Sequence, residues 1–479
     1  MNPEQRYLQA RTRRHFFRDC GMGVGKMALA SMIARDGFAS GTPVSRGQMK
    51  EFHLPPKVDH VIYLFQCGGP SNLELFDYKP ELTKFHQKGV PESLMKGKRF
   101  AFMDTFAKDP PKLLGQTRKF TQHGKSGKYL SELLPHIGSV ADDLTFFEGV
   151  ATDNFNHGPA KLFLNTGSVR TGRPSIGAWV TYGIGTQSKD LPGFVVLQSG
   201  PRGPRSGAAL WASGFLPTAY QGVPFRSTGD PILNLSNPAG TNSDQQRQTI
   251  DVLRDLNEMR FKDTGDAEIS TRISQYEMAF KMQTSGPELI DFNKESKETL
   301  EMYGAKPGEA SFANNCLLAR RLVERGVRFV QLYHADWDHH NDLTKPLDDV
   351  TKEIDRPTAA LIKDLKQRGL LDRTLVIWSG EFGRTPMGEV RDAGKVGRNH
   401  HIDAYTLFMA GGGLKPGITV GGTDELGFSP TGDPMHIHDV QATIMQLLGI
   451  EHTKLTFRFQ GRDFRLTDIH GHAIKQALA

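Results

Sequence analysis

The run Val327-Arg328-Phe329-Val330-Gln331-Leu332-Tyr333 empties into His334-Ala335-Asp336-Trp337-Asp338-His339-His340-Asn341-Asp342. The apolar stretch predicts a buried strand, and the carboxylates and imidazoles behind it are the donor types of a metal site. The pattern returns twice. Thr374-Leu375-Val376-Ile377-Trp378 delivers Ser379-Gly380-Glu381-Phe382-Gly383-Arg384, and Arg398-Asn399-His400-His401 stands just ahead of the apolar Ala404-Tyr405-Thr406-Leu407-Phe408-Met409. Three distant segments thus offer Asp, Glu and His at strand edges, where open α/β sheets assemble their sites.

Outward from these segments, His60-Val61-Ile62-Tyr63-Leu64-Phe65 reads as the first core strand, closed by Gly68-Gly69-Pro70 and followed at once by Ser71, Glu74 and Asp77. Further strands are predicted at 144–147 and 194–197. Helices are predicted over 128–137, 159–164 (entered from Asn156-His157-Gly158), 175–182, 313–325, 347–368 and 438–448. Strands alternating with helices predict an α/β fold with a largely parallel sheet. Between 243 and 303 the sequence turns polar and helix-favouring, with Ile250, Leu253, Leu256 and Met259 at helical spacing. We read 240–310 as a helical insertion or cap within one domain over 55–479, its charges forming a solvated face.

With 479 residues, 38% hydrophobic and 23% charged, the chain has the composition of a globular protein with a sizeable core. The net charge of +6 is modest, and part of it lies in the first 35 residues. No basic stripe with interleaved aromatics occurs, which argues against nucleic-acid binding. The amino terminus, Thr12-Arg13-Arg14-His15-Phe16-Phe17-Arg18 before a Gly/Ala/Met-rich run, resembles a twin-arginine export signal over 1–39. Lys26 interrupts that run, so it falls short of the ~20 apolar residues of a membrane span. The expectation is a periplasmic or extracellular protein with no integral membrane segment after signal removal. Cys20 falls in the signal, leaving Cys67 and Cys316 as two buried thiols or, in an exported protein, a disulfide.

Gly68-Gly69-Pro70-Ser71 with Phe76-Asp77-Tyr78-Lys79-Pro80, Trp337-Asp338-His339-His340, Gly380-Glu381-Phe382-Gly383-Arg384-Thr385-Pro386 and Gly397-Arg398-Asn399-His400 occur in this order. On these motifs the chain resembles the exported bacterial family catalogued as domain of unknown function 1501. That family is similar to the sulfatases and, more widely, to the alkaline phosphatase superfamily. The resemblance runs from the twin arginines to Gly461-Arg462-Asp463-Phe464, and its most specific part is the Glu381 to Pro386 string.

The resemblance implies an alkaline phosphatase-like (sulfatase-like) sandwich and a metal-dependent hydrolase of phosphate or sulfate esters. It places Asp338, His340, Glu381 and His400 around a divalent metal, with Arg384 contacting an anionic substrate or pairing with a buried carboxylate. In an extended segment Asp336, Asp338 and His340 share one parity, which adds Asp336 to the metal set. Zinc, manganese and calcium stay open. Ser71 is either a helix N-cap or an active-site hydroxyl, and Asp77 a ligand or part of a local ion pair with Lys79. Where the superfamily offers a Ser, Thr or modified Cys nucleophile, this chain has Thr152-Asp153-Asn154-Phe155-Asn156-His157, with no Cys-x-Pro-x-Arg string. His157 is then a general acid or base for metal-activated water, or a structural residue of a capped helix. The partner expected is an anionic small-molecule or glycan ester. The alternative is a catalytically silent member that binds an anionic glycan or a cell-envelope partner.

Overall fold

Val61, Tyr63 and Phe65 of the first strand join one apolar cluster while Ile62 and Leu64 join another, and all five are buried. A strand buried on both faces reads as a continuous apolar run and needs helices above and below it. This fold is seen in a computed structural model, which describes residues 47–479 apart from 101–102, 104–105, 107–109, 201–202, 233–236, 238–239, 266 and 391–393. The signal expected at 1–39, with Cys20, lies outside the described residues.

The strands are β1 (His60–Gln66), the hairpin β2 (Phe120–His123) and β3 (Lys128–Ser131), β4 (Thr145–Ala151), β5 (Phe194–Ser199) and β6 (Val223–Pro224). They continue as β7 (Phe329–His334), β8 (Thr374–Ser379), β9 (Gly383–Glu389), β10 (Gly397–His401), β11 (Tyr405–Ala410) and β12 (Ile418–Gly421). The last are β13 (Met435–His436) and the hairpin β14 (Phe457–Phe459) and β15 (Arg462–Phe464). The central sheet has the order β12-β4-β11-β8-β1-β7-β5-β6, with β13 beside β4. β1 is parallel to β7 and β8, and β5 is parallel to β7. β11 alone runs against its neighbours, β4 and β8. The fold is therefore α/β with a mostly parallel sheet, as the strand and helix alternation predicts.

One face of the sheet is covered by the helices Phe312–Glu324 and Lys345–Gln367, which pack on Ile62, Leu64, Val330, Val376 and Trp378. The other is covered by His157–Thr166, Ile176–Ile184 and Ile437–Leu447. Each fully buried Leu, Ile or Phe contributes roughly 1.5–3 kcal/mol, so these two layers dominate the stability of the fold. Two long helices, Ser243–Thr264 and Ala267–Ile290, occupy the polar region. The first opens with an Asn242/Gln245 capping box and ends at Gly265 in the left-handed region.

One local reading changes, and one open alternative closes. The helix expected over 128–137 is instead β3 followed by a short turn of helix, Pro135–Gly138. Pro135 lacks an amide hydrogen and disfavours helical geometry at Leu134, so the segment before it pairs with β2. Cys67 and Cys316 are both free and buried, so no disulfide joins them.

The carboxyl ends of β1, β4, β7 and β8 lie along one edge of the sheet and open into Cys67-Gly68, Thr152 to His157, Ala335 to His340 and Gly380-Glu381. The separate hairpin of β9 and β10 reaches the same edge, with His400 opposite Arg384.

Candidate metal centre

β7 ends at His334 and gives way to a tight irregular segment. Its course is fixed by close backbone approaches. Gly68, at φ +125°, lies against this segment so closely that a Cβ there would stand 2.7 Å from the Asp338 amide nitrogen. At Gly397 a Cβ would stand 2.0 Å from the His340 carbonyl. Only glycine lets three chain segments meet at these distances.

Within this edge, one ligand atom each from His157, Asp338, His340 and His400 lies within 4.8 Å of every other. The four come from the helix after β4, the loop after β7, and β10. The outer nitrogen of each imidazole is held. His157 Nδ1 donates to Glu381 Oε1 at 2.7 Å, His340 Nδ1 to Glu389 Oε2 at 2.5 Å, and His400 Nδ1 to the Phe155 carbonyl at 2.6 Å. An ionised carboxylate or a carbonyl can only accept, so each Nδ1 carries a proton, and a ring in its neutral form then keeps its lone pair on Nε2.

All three Nε2 atoms face Asp338. His340 Nε2 is 2.8 Å and His400 Nε2 3.3 Å from Oδ1, and His157 Nε2 is 3.1 Å from Oδ2. His157 Nε2 is buried and lacks hydrogen-bonding geometry toward any partner among the described residues, despite that approach. Three lone pairs and a carboxylate converging on one point make a set of acceptors with too few donors. A cation satisfies them, and outer-nitrogen bonds to Glu381, Glu389 and Phe155 are the kind that orient metal-binding imidazoles. Three nitrogens and one oxygen at these separations fit a four-coordinate ion.

Burial alone would lift the Asp338 carboxyl, but the three imidazoles and the Arg384 charge hold it far below the usual carboxylate range. Burial and the Arg384 charge press His400 down to about 4 against the pull of Asp338. Burial also lowers His157, yet Asp338 and Glu381 outweigh it and leave that ring raised. The Asp338 side chain is 38% exposed, so the centre opens to solvent on its side, while Phe382 packs against both His157 and His400 from within.

The remaining candidates lie around this group. Glu381 is fully buried behind His157, with both oxygens also taken by the Gly68 amide. Burial would raise its carboxyl, but the His157 proton, the Lys161 charge and that amide bring it below its ordinary value. Arg384 bonds Asp338 Oδ1 at 2.7 Å, its other donors go to the carbonyls of Gly68, Gly69, Trp337 and Arg398, and its Nη1 also lies 3.4 Å from His340 Nε2. Of its two expected roles the structure shows the pairing with a carboxylate. Asp336 is not one of the four convergent residues: its φ of +77° breaks the extended geometry on which shared parity depends. Ser71 stands at a helix N-cap without a side-chain cap bond. Its hydroxyl instead donates to Glu74, which is locked in a buried pair with Arg398 at 2.7 Å, so it is not aimed at the centre. Asp77 pairs with Lys79 at 3.0 Å, and His401 turns away to the Phe428 carbonyl. Sequence reasoning gave Glu389 no part. It lies 49 positions from His340, and only the β9–β10 hairpin brings it near.

The chain belongs to the family described as Protein of unknown function (DUF1501), whose model matches residues 58–478. No curated protein matches the sequence. Among solved structures, Ps i-CgsB in complex with a neocarrahexaose aligns with a TM-score of 0.36 and 14% identity, covering 82% of this chain and 72% of that one. The TAB5 alkaline phosphatase mutant with Mg bound aligns at 0.35 and 11%, covering 82% and 98%. The lipoteichoic acid synthase LtaP from Listeria monocytogenes aligns at 0.31 and 10%, covering 88% and 78%. At these scores the likeness says nothing about the reaction.

Proposed function

We propose that this chain is an exported, divalent-metal-dependent hydrolase of phosphate or sulfate esters with an alkaline phosphatase-like site. The observation that carries the reading is the convergence of three Nε2 lone pairs on Asp338, each ring fixed through its other nitrogen. His157, Asp338, His340 and His400 would hold the ion, and a set of three nitrogens and one oxygen suits zinc or manganese better than oxygen-seeking calcium. A bound ion would supply Lewis-acid polarisation of an ester oxygen and a water of lowered pKa.

The chain's own residues do the rest. Glu381 and Glu389 fix the rings of His157 and His340, and Arg384 holds Asp338 and adds positive charge beside the ester oxygens. The exposed side of Asp338 admits substrate and water. Where the superfamily offers a nucleophile this chain has Thr152-Asp153-Asn154-Phe155-Asn156-His157, without a Cys-x-Pro-x-Arg string, so we take water rather than a side chain to attack. The twin-arginine sequence supports export after folding to the periplasm or beyond, and no described helix is long and apolar enough to cross a membrane. That same want of a side-chain nucleophile favours a second reading, a silent member binding an anionic glycan or an envelope partner.

Metal analysis of the purified protein, followed by a screen of aryl phosphate and aryl sulfate esters with added zinc, manganese or calcium, separates the readings. Metal with turnover that His340→Ala and Asp338→Ala abolish supports the hydrolase. Metal without turnover on any ester supports the binding reading, and protein that takes up no metal sinks the site assignment.

A further inference from the structure

Lys161 is 2% exposed, an unusual state for an ammonium group. It lies four residues after His157 in the helix His157–Thr166, so the two share a face. Helical side chains lean toward the amino terminus, which runs the lysine stem back toward His157 and the centre. Its charge is felt by Glu381, which touches His157, and by the Cys67 thiol at the end of β1. Yet no described residue takes a hydrogen bond or a close ion pair from its ammonium. The Glu381 oxygens are already occupied by Gly68 and His157.

A role as distant counter-charge to Glu381 accounts for the sign of this side chain but gives its three donors no acceptor among the described residues. The surroundings favour an anion. The helix start directs its dipole to the same place, and Gly158 keeps that entrance uncrowded: a Cβ there would meet only the Ser206 hydroxyl, at 3.6 Å.

We propose that Lys161 is the cation that receives the oxyanion of the ester beside the four-residue centre, making it a substrate-binding residue for phosphate or sulfate groups. The inference rests on the reading of that centre as a site for anionic esters, but it separates from it experimentally.

Inorganic phosphate and sulfate are titrated calorimetrically into wild type, Lys161→Met and Lys161→Arg, each with and without Co2+, whose own binding is followed by its visible absorption. Circular dichroism and a thermal melt verify that the variants fold, and His340→Ala serves as the metal-site control. The expected result is at least tenfold weaker anion binding in Lys161→Met, partial recovery in Lys161→Arg, and Co2+ affinity within twofold of wild type in both. Anion binding unchanged in Lys161→Met overturns the proposal, as does a wild type that binds neither anion at millimolar concentration. Loss of Co2+ affinity in parallel with anion affinity overturns it too, because Lys161 would then merely support the ligands. If the wild type takes no Co2+, the metal reading fails, and anion binding by the metal-free protein still decides the role of Lys161.

Discussion

His340 Nε2 and His400 Nε2 lie 2.9 Å apart, and each ring has its proton on the opposite nitrogen. Two lone pairs at that separation repel unless a cation or a proton stands between them. The Glu389 carboxylate, by holding the His340 proton outward, decides which of the two it is. Glu389→Gln should therefore weaken Co2+ binding by about 10- to 100-fold, the usual cost of losing a partner that orients a metal-binding imidazole. Titration followed by visible absorption measures it. Affinity within twofold of wild type would show that the contact is incidental.

The backbone approach at Gly397 makes a second, purely steric prediction. Gly397→Ala drives a Cβ to 2.0 Å from the His340 carbonyl, and the loop carrying Asp338 and His340 must shift. Overpacking of this kind costs about 1–3 kcal/mol, and metal uptake should fall with it. Gly89→Ala, where a Cβ meets nothing within 4 Å, is the control and should stay within about 0.5 kcal/mol of wild type. Equal melting temperatures for the two variants would contradict the packing described.

Glu74 and Arg398 form an ion pair with no exposure on either side chain. Removing one partner by Glu74→Ala leaves a buried guanidinium uncompensated and should cost about 3–5 kcal/mol. Combining Glu74→Leu with Arg398→Met should recover much of that loss, since the cost lies in the stranded charge. Denaturant unfolding of the single and double variants tests this, and a double variant no better than Glu74→Ala would refute it.

His60, at the start of β1, donates Nδ1 to the Val327 carbonyl at 2.8 Å, and burial lowers its pKa from 6.5. The folded state keeps this ring neutral while the unfolded chain protonates it near 6.5, so the unfolded state binds more protons in acid. The contribution to stability is whole above pH 6.5 and is lost as the pH falls toward the folded value. In chelator-treated protein, His60→Gln should narrow the difference in melting temperature between pH 7 and pH 5. A difference as wide as in wild type would rule out His60 as its source.

Much of the layered core could be read from the chain because strands buried on both faces leave unbroken apolar runs, as at Val61 to Phe65 and Leu375 to Trp378. What could not be read was long-range or conformational. The direction of β11 depends on its neighbours, not on its own composition. The proline at 135 signals a helix start as readily as a helix break, and the β2–β3 pairing decided between them. At the centre, Asp338, His340 and His400 were visible as donor types beside strands. Asp336 was misplaced because parity fails once a residue adopts φ +77°. Glu389 was invisible because an acid at the end of a hairpin carries no local mark of the imidazole it will meet.

The Phe155 carbonyl holds the His400 ring across 245 positions of sequence. A nascent chain that has not yet emitted β10 owns only part of the cage, with one wall still inside the ribosome. Cation capture would thus be the closing event of maturation, a tally that the amino-terminal and carboxyl-terminal halves have met. Under the export after folding proposed above, ion uptake in the cytoplasm would double as a passport, and the cell's metal supply would then govern how much of the chain departs.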